Sequence, residues 1–378
     1  MNKSVTFVIP VLNEIKTLPF VLEKLNKIKY QMSSEYKIEI LVSDNGSTDG
    51  SQDLAKNFGA RVEHCNVKGY GSALDSGIRL AQGEIIVFAD ADDTYDFLEA
   101  PNLIQKIFDT DSDMVIGSRL DGKIHPGAMP FLHRYLGTPV INFLINFLFG
   151  KKSKIRDANS GFRCLKKSSY LNWNITSSGM EFASELLIKS LISDAKIEHV
   201  PVSLYPDKPG RTPHLKTWRD GMRHLLRILF YAPYFFQKVG FGLLLFSITN
   251  LCIGLYAGRI VDINGVRFYG EHSLLLFSFL SILGITIWNS GLLIATKQKE
   301  AIGIYEKILH WQEDRLFFVI ISGLGIITIF FTYLWFLWYK NNFVFLNFQR
   351  ELVVISTFSI VLFLFGFNAL TAHIIKRD

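Results

Sequence analysis

Two hydrophobic rhythms divide the chain. Up to about Tyr231, short apolar runs alternate with stretches whose apolar positions recur at helical spacing; beyond it, long Phe/Leu/Ile segments dominate. Segments 5–12, 37–42, 61–64, 85–88, 113–117 and 197–204 predict strands, most of them continuous apolar runs of the kind buried on both faces. Between the early ones, helices are predicted from Asn13-Glu14 to about Tyr30, over 52–58, and from Ser72 to Gln82, with Ser47 or Thr48 capping the second. This alternation predicts an α/β fold with a mostly parallel, doubly wound sheet.

Four downstream segments, about 235–257, 272–296, 316–339 and 352–375, are each near the ~20 residues needed to span hydrocarbon, so 232–378 reads as a four-helix transmembrane domain. Tyr333, Trp335, Trp338 and Tyr339 gather at one end of the third, as an interfacial belt does. The apolar part of 139–150 is too short to span. Followed by Lys151, Lys152, Lys154 and Arg156, it suits a helix in the headgroup plane, with a buried core helix as the alternative. Segment 214–231 carries Arg219, Arg223 and Arg227 four apart and reads as a second amphipathic interfacial helix. Residues 1–213 then form a separate α/β domain.

Charge and cysteine content narrow the class. The net charge of +6 could serve nucleic acid or an anionic membrane. The excess sits beside apolar helices, which favours the lipid bilayer and no nucleic acid. Cys65, Cys164 and Cys252 are too scattered for a metal knuckle or a disulfide framework. Segment 5–12 is short, holds Pro10 and meets Asn13-Glu14 at once, unlike a signal peptide. Lys297, Lys299, Lys307 and Arg315 in the middle connection outnumber Arg259 and Arg267 in the first. A multi-pass protein of the plasma (inner) membrane, with its first domain in the cytosol, is the expectation.

The candidate chemistry begins where strand 85–88 runs into Asp90, Asp92 and Asp93. Acids after a strand fall at the carboxyl edge of a sheet, where open α/β folds bind ligands. Asp90 and Asp92 are two apart and can share one Mg²⁺ or Mn²⁺, whose other positions go to water and phosphate; a solvated acidic turn is the plain alternative. Gly69-x-Gly71 is no dinucleotide fingerprint, because Leu74 stands where a third glycine belongs and the pair comes late in the chain. Arg119, ending strand 113–117, can grip a phosphate with two parallel hydrogen bonds. Arg134 and Thr138 share a helix face at i, i+4. The proline-rich loop 205–215 offers Lys208 and Arg211 to a diphosphate.

Pro10-Val-Leu-Asn-Glu14, Ser43-Asp-Asn-Gly-Ser-Thr-Asp49, Lys68-Gly-Tyr-Gly-Ser-Ala73 and Ala89-Asp-Ala-Asp-Asp93 resemble, in order and spacing, the family-2 glycosyltransferases of the GT-A fold. Within these, the chain looks like the polyprenyl-phosphate (dolichyl-phosphate-type) enzymes, over residues 5 to about 229. The resemblance implies a nucleotide-sugar donor held by Pro10, Leu12, Asn13, Glu14, Asp44, Lys68, Asp90 and Ala91, with the metal on Asp90 and Asp92. It implies catalytic roles for Asp92, Arg119, Arg134 and Arg163, the last in a Ser-Gly-Phe-Arg segment. Arg119, Arg134, Thr138, Lys208 and Arg211 would meet the acceptor phosphate. Asn45 replaces the usual second acid after the second strand, and the loop at 205–215 departs from the family's Arg-x-Gly-x-Ser-Lys spelling.

The expected activity is inverting transfer of a hexose, from UDP-glucose first and GDP-mannose next, to a polyprenyl phosphate such as undecaprenyl phosphate. An acceptor already charged at neutral pH needs no tuned base. Asp49 can be pure turn and capping chemistry, and either Glu181 or Glu185 can face the reaction centre or serve as a salt-bridge partner. A processive polysaccharide synthase is the nearest rival, but its Gln-x-x-Arg-Trp motif is missing. A nucleotide-sugar-binding lipid carrier without turnover is another. Related membrane transferases assemble, so a homo-oligomer is compatible, although no interface is legible.

Overall fold

A computed structural model of the chain describes residues 3–209, 217–256, 261–263, 266–299, 303–342 and 349–377. Residues Met1–Tyr231 and Ala232–Asp378 form two separate units. In the first, the elements are β1 (Lys3–Val11), α1 (Leu18–Gln31), β2 (Tyr36–Asp44), α2 (Ser51–Asn57), β3 (Arg61–His64), α3 (Tyr70–Leu80), β4 (Ile85–Phe88), α4 (Ala100–Thr110), β5 (Met114–Ser118), α5 (Thr138–Phe149), β6 (Arg163–Lys166), α6 (Lys167–Trp173), α7 (Phe182–Ile192), β7 (Ile197–Pro201) and α8 (Thr217–Phe230).

Side chains alternate across the sheet, as the pleat requires. Val5, Phe7, Ile9 and Val11 of β1 enter one apolar cluster with Leu18, Leu22 and Leu25 of α1 and Leu103 and Ile104 of α4. Val8 of β1 and Ile86 and Phe88 of β4 enter the opposite cluster with Leu74 and Ile78 of α3 and Leu186 and Leu187 of α7. Each fully buried Leu or Ile contributes about 1.5–3 kcal/mol from apolar burial, which makes helices on both faces the stable arrangement.

The strand order is β3-β2-β1-β4-β6-β5-β7. β2, β3, β4 and β7 each pair in parallel with a neighbour, but β6 lies antiparallel between β4 and β5, with Arg163 opposite both Phe88 and Ile116. The antiparallel strand was hidden by its four-residue length. Its consequence is large: the segment that leads into β6 arrives at the carboxyl edge of β4 and β5.

Two local departures from the sequence pattern have clear causes. α1 begins at Leu18 rather than at Asn13, because Asn13 takes a left-handed φ of 56° and the turn after it closes through Thr17 and Leu18 N–H groups on the Glu14 carbonyl. The N-cap of α2 is Gly50, not Ser47 or Thr48, which instead bond Asn13: its N–H reaches Ser47 Oγ at 2.9 Å and its Oδ1 accepts from Thr48 N at 2.8 Å.

In the second unit, α9 (Pro233–Tyr256), α10 (Glu271–Gln298), α12 (Glu313–Lys340) and α13 (Gln349–Arg377) carry segments of 23, 28, 27 and 29 residues that are long and apolar enough to cross a membrane. A short α11 (Ile304–Leu309) precedes α12, and a small antiparallel pair, β8 (Val261–Ile263) and β9 (Val266–Phe268), lies between α9 and α10. α9 and α10 touch backbone to backbone: a Cβ on Gly240 would stand 2.5 Å from Trp288 N, and one on Gly284 would stand 2.7 Å from Leu244 N. Small residues at such crossings replace the hydrophobic drive that lipid does not supply, and a hydroxyl pair between Ser281 and Ser247, 2.8 Å apart, adds to it.

Candidate active site

The carboxyl ends of β1, β2, β4 and β5 point to one edge, and the chain places its polar motifs there. After β4, Asp90 is half-buried and Asp92 is 8% exposed. Asp92 Oδ1 accepts from Thr94 N at 3.0 Å and from Thr94 Oγ1 at 2.7 Å. Tyr70, the first residue of α3, hydrogen-bonds Asp90; burial and that negative neighbour push the phenol well above its ordinary range, so it stays a donor. A Cβ on Gly161 would come within 2.8 Å of Asp90 Oδ2, so only glycine lets the 157–163 segment lie this close. Both carboxylates are therefore oriented by neighbours. Asp93 is used differently: at φ 61° it turns back to Lys24 Nζ at 2.8 Å and Lys208 Nζ at 3.2 Å.

Around the ends of β1 and β2 nearly every polar group is taken up internally. Asp44, fully buried, accepts from Gly46 N at 2.9 Å, Ser47 N at 3.1 Å and Gln52 Nε2 at 2.7 Å, with His64 Nδ1 at 3.4 Å. Burial alone would raise this acid, but the Ser47, Gly46 and Gln52 bonds outweigh it and hold the pKa below the usual range. In this structure the Asp44 carboxylate closes its own turn. Asp49 likewise serves Ile15 N and Ser51, and Glu14 accepts from Thr17 Oγ1 at 2.8 Å. Pro10 and Ala91 are buried, Leu12 is half-buried, and Asn13 is exposed. Lys68, also exposed, places its amine 3.0 Å from the Asn45 carbonyl oxygen.

On the β5 side the geometry departs from the sequence reading. Arg119 does carry a two-pronged bond, but to Asp157: Nε reaches Oδ2 at 2.8 Å and Nη2 reaches Oδ1 at 2.7 Å, with Arg119 N on Oδ2 at 2.9 Å. Burial pulls this guanidinium down, and the Tyr95 and Asp157 fields outweigh it and hold it above its ordinary value. The Nε–Nη2 side of its fork is therefore committed to Asp157. Arg163 is 1% exposed and spends its donors on the carbonyls of Ser160, Ala183 and Ala158. Burial lowers it to about 10. It braces the loop from inside rather than gripping an anion. Lys208 has Asp93 as its partner, and Arg211 lies outside the described residues.

Arg134 and Thr138 separate. Arg134 is exposed in a π-helical turn, His133–Gly137, with its guanidinium 5.4 Å from the Tyr135 ring centre. Thr138 is buried, 3.4 Å from Asn159 Nδ2. π-turns recur at functional sites because one extra residue re-aims side chains. Of the two acids on the 181–185 stretch, Glu185 is buried under Thr176, Ser177, Arg227 and Tyr231. Burial raises its pKa, and the Arg227, Ser177 and Tyr231 bonds reverse this to about 2. It is a structural knot between α7 and α8.

Several positioning residues escaped the sequence reading. Asn142 and Asn146 of α5 clamp 155–158: Asn146 exchanges two bonds of 2.8 Å with Ile155, and Asn142 bonds Arg156 O and Ala158 N. Two amides at i, i+4 in an apolar run were the available signal, since a half-buried amide demands partners. Tyr95 Oη accepts from Gly161 N at 2.8 Å.

Comparison with known proteins gives this edge its context. Residues 6–171 match the model of glycosyl transferase family 2. The chain is 33% identical over 279 residues to the low-salt glycan biosynthesis hexosyltransferase Agl6 of Haloferax volcanii, an alignment covering 74% of this chain and 65% of that protein. It is 29% identical over 204 residues to the dolichyl-phosphate hexose transferase of the same organism, covering 53% of this chain and 82% of that one. The fold is similar to glucosyl-3-phosphoglycerate synthase from Mycobacterium tuberculosis, solved with Mn²⁺, UDP and glucosyl-3-phosphoglycerate, at a TM-score of 0.50 and 20% identity over 61% of this chain and 80% of that one.

Proposed function

We propose that this chain, whose residues 6–171 match the glycosyl transferase family 2 model and which continues into four membrane-length helices, moves a hexose from a nucleotide-sugar to a polyprenyl phosphate at the cytosolic face of a membrane. UDP-glucose is the favoured donor and GDP-mannose the next. The hexosyltransferase and dolichyl-phosphate relatives support the reaction class, and the UDP and Mn²⁺ of the solved neighbour support the donor and the metal.

The carrying observation is the pair of oriented carboxylates, Asp90 and Asp92, at the carboxyl edge of β4. Among the described residues no group of three His, Cys, Asp or Glu side chains could hold a metal. Two hard oxygen donors suit Mg²⁺ or Mn²⁺, which complete their shells with water and phosphate oxygens. A cation bound there supplies Lewis-acid neutralisation of the leaving diphosphate. Thr94 and Tyr70 keep the two acids aimed. The acceptor phosphate oxygen forms the new bond to the anomeric carbon as the bond to the diphosphate oxygen breaks, with inversion and departure of the nucleoside diphosphate. No proton has to be removed first, in keeping with Glu185 being locked as an ionised knot. Arg134 is the exposed cation best suited to the acceptor phosphate, with Lys208 reaching in when it leaves Asp93.

The test is transfer of labelled sugar to polyprenyl phosphate by the detergent-purified full chain. Asp92→Ala is expected to lower kcat/KM by about 10² or more, as loss of a charge-neutralising group does, and a chelator should reproduce the loss in the unaltered protein. Undiminished transfer by Asp92→Ala would overturn the metal reading, and a panel of nucleotide-sugars decides the donor.

A further inference from the structure

Residues 174–178 belong to no helix or strand, yet they are held closely from two sides. On one side stands Glu185 of α7, fully buried. Its Oε2 accepts from Ser177 N at 2.7 Å, and its Oε1 accepts from Thr176 Oγ1 at 3.0 Å. The same two oxygens take Arg227 Nη2 of α8 and the Tyr231 hydroxyl that follows it, each at 2.7 Å. A pin between α7 and α8 would need only these last two bonds. The bonds to Thr176 and Ser177 fasten an irregular segment as well.

On the other side of the segment lies the first turn of α3. A helix leaves its first N–H groups without partners inside the helix, and Ser72 N finds one on Ser178 O at 3.1 Å. The two backbones touch here. A Cβ on Gly71 would stand 2.4 Å from Ser177 O, and one on Gly69 would stand 2.1 Å from Ser178 O. Neither backbone can move toward the other, so the place of 177–178 sets the place of the turn. Tyr70 sits between these two glycines, and its hydroxyl bonds Asp90. A continuous line of contacts therefore runs from α8 through Glu185, Ser177 and Ser178 to Tyr70 and Asp90.

We infer that Glu185 is a positioning residue for the cation site: by fastening 176–177 to α8 it seats the first turn of α3 and keeps Tyr70 on Asp90. The inference rests on the metal reading given under Proposed function. Glu185 touches neither cation nor substrate, and it acts only through the segment it holds. Outer partners of this kind are worth about 10–100-fold in metal affinity.

The experiment is titration of Mn²⁺ with UDP present, followed by the electron paramagnetic resonance of the free ion, on the detergent-purified full chain. Glu185→Asp keeps the charge but is one methylene too short to hold both α8 and 176–177. It should raise the Mn²⁺ Kd about tenfold, and Tyr70→Phe should do the same. In the double variant the effects should not add, because both cut one line of contacts. Leu22→Ala opens a cavity in the opposite apolar cluster, so it should lower the unfolding temperature and leave the Kd within about twofold. An unmoved Kd in folded Glu185→Asp, additive effects, or an equal rise in Leu22→Ala would overturn the inference. Should Glu185→Asp fail to fold, Gly71→Ala strikes the same joint without touching the buried charge, and the same criteria apply to it. Equal Mn²⁺ binding by Asp92→Ala would instead refute the metal reading, and this inference with it.

Discussion

The two halves of the site are built on opposite plans. At the ends of β1 and β2 the polar groups are bonded to one another: Asp44 closes its own turn, Asn13 exchanges bonds with Ser47 and Thr48, and Asn45 holds the loop to α3. Beyond β5 the interior is equally well knit, but its outer surface is open. Phe131, Tyr135, Phe143 and Phe147, along the same 131–149 stretch as Arg134, are each more than half exposed. A rigid, satisfied half suits a soluble donor that arrives whole, since pre-organised groups lose little entropy on binding. An apolar, basic half suits a ligand with a hydrocarbon tail and an anionic head. Buried arginines are what allow the second half to be rigid inside and open outside.

That contrast breaks first at Arg119 and Asp157. The pair joins β5 to the segment entering β6, and the aspartate is fully buried. Asp157→Ala should therefore cost about 3–5 kcal/mol of stability, because the guanidinium is left buried without its counter-ion. Thermal or denaturant unfolding of the purified protein checks it. A loss under about 1 kcal/mol, the worth of an exposed pair, would mean that the β5 side is not rigid at all.

A smaller effect is expected at Glu185, whose folded pKa lies at about 2 against an ordinary value of 4.5. A depressed acid stabilises the fold above its unfolded pKa, and that contribution is lost as pH falls from about 4.5 through about 2. The shift corresponds to on the order of 3 kcal/mol for so buried a group. Glu185→Gln should be less stable at pH 7 and should show a flatter acid limb in that window by tryptophan fluorescence. If both proteins lose stability along the same acid limb, Glu185 is not what ties α7 to α8.

Much of this fold could be read in the sequence, for a physical reason. Parallel strands buried on both faces write continuous apolar runs, so β1, β2, β4 and β5 stand out, as do membrane-length helices. β6 does not, because Arg163-Cys-Leu-Lys166 is short and carries charge at both ends. The candidate site was legible as a set of residues but not as a division of labour. Asp90 and Asp92 fall where a strand end must put them. Arg119, Arg134 and Arg163 look alike in a sequence, yet one meets a buried carboxylate, one meets solvent and one meets three carbonyls. Partners from distant segments decide such roles, and spacing along the chain carries no trace of them.

Arg134 is where the comparison between the halves can be drawn most finely. It stands exposed on the π-turn among exposed rings, so its removal should leave the packing and the donor half untouched. Arg134→Ala is expected to raise KM for the polyprenyl phosphate about tenfold, the worth of one charge-assisted contact at a partly wet surface, with donor KM unchanged. Arg134→Lys should recover only part of this, since an ammonium keeps the charge but not the planar fork. Steady-state assays that vary lipid and nucleotide-sugar separately distinguish the outcomes. Equal movement of both KM values would show the halves to be coupled, and the exposed aromatic ridge would then serve the architecture of the whole site rather than the lipid alone.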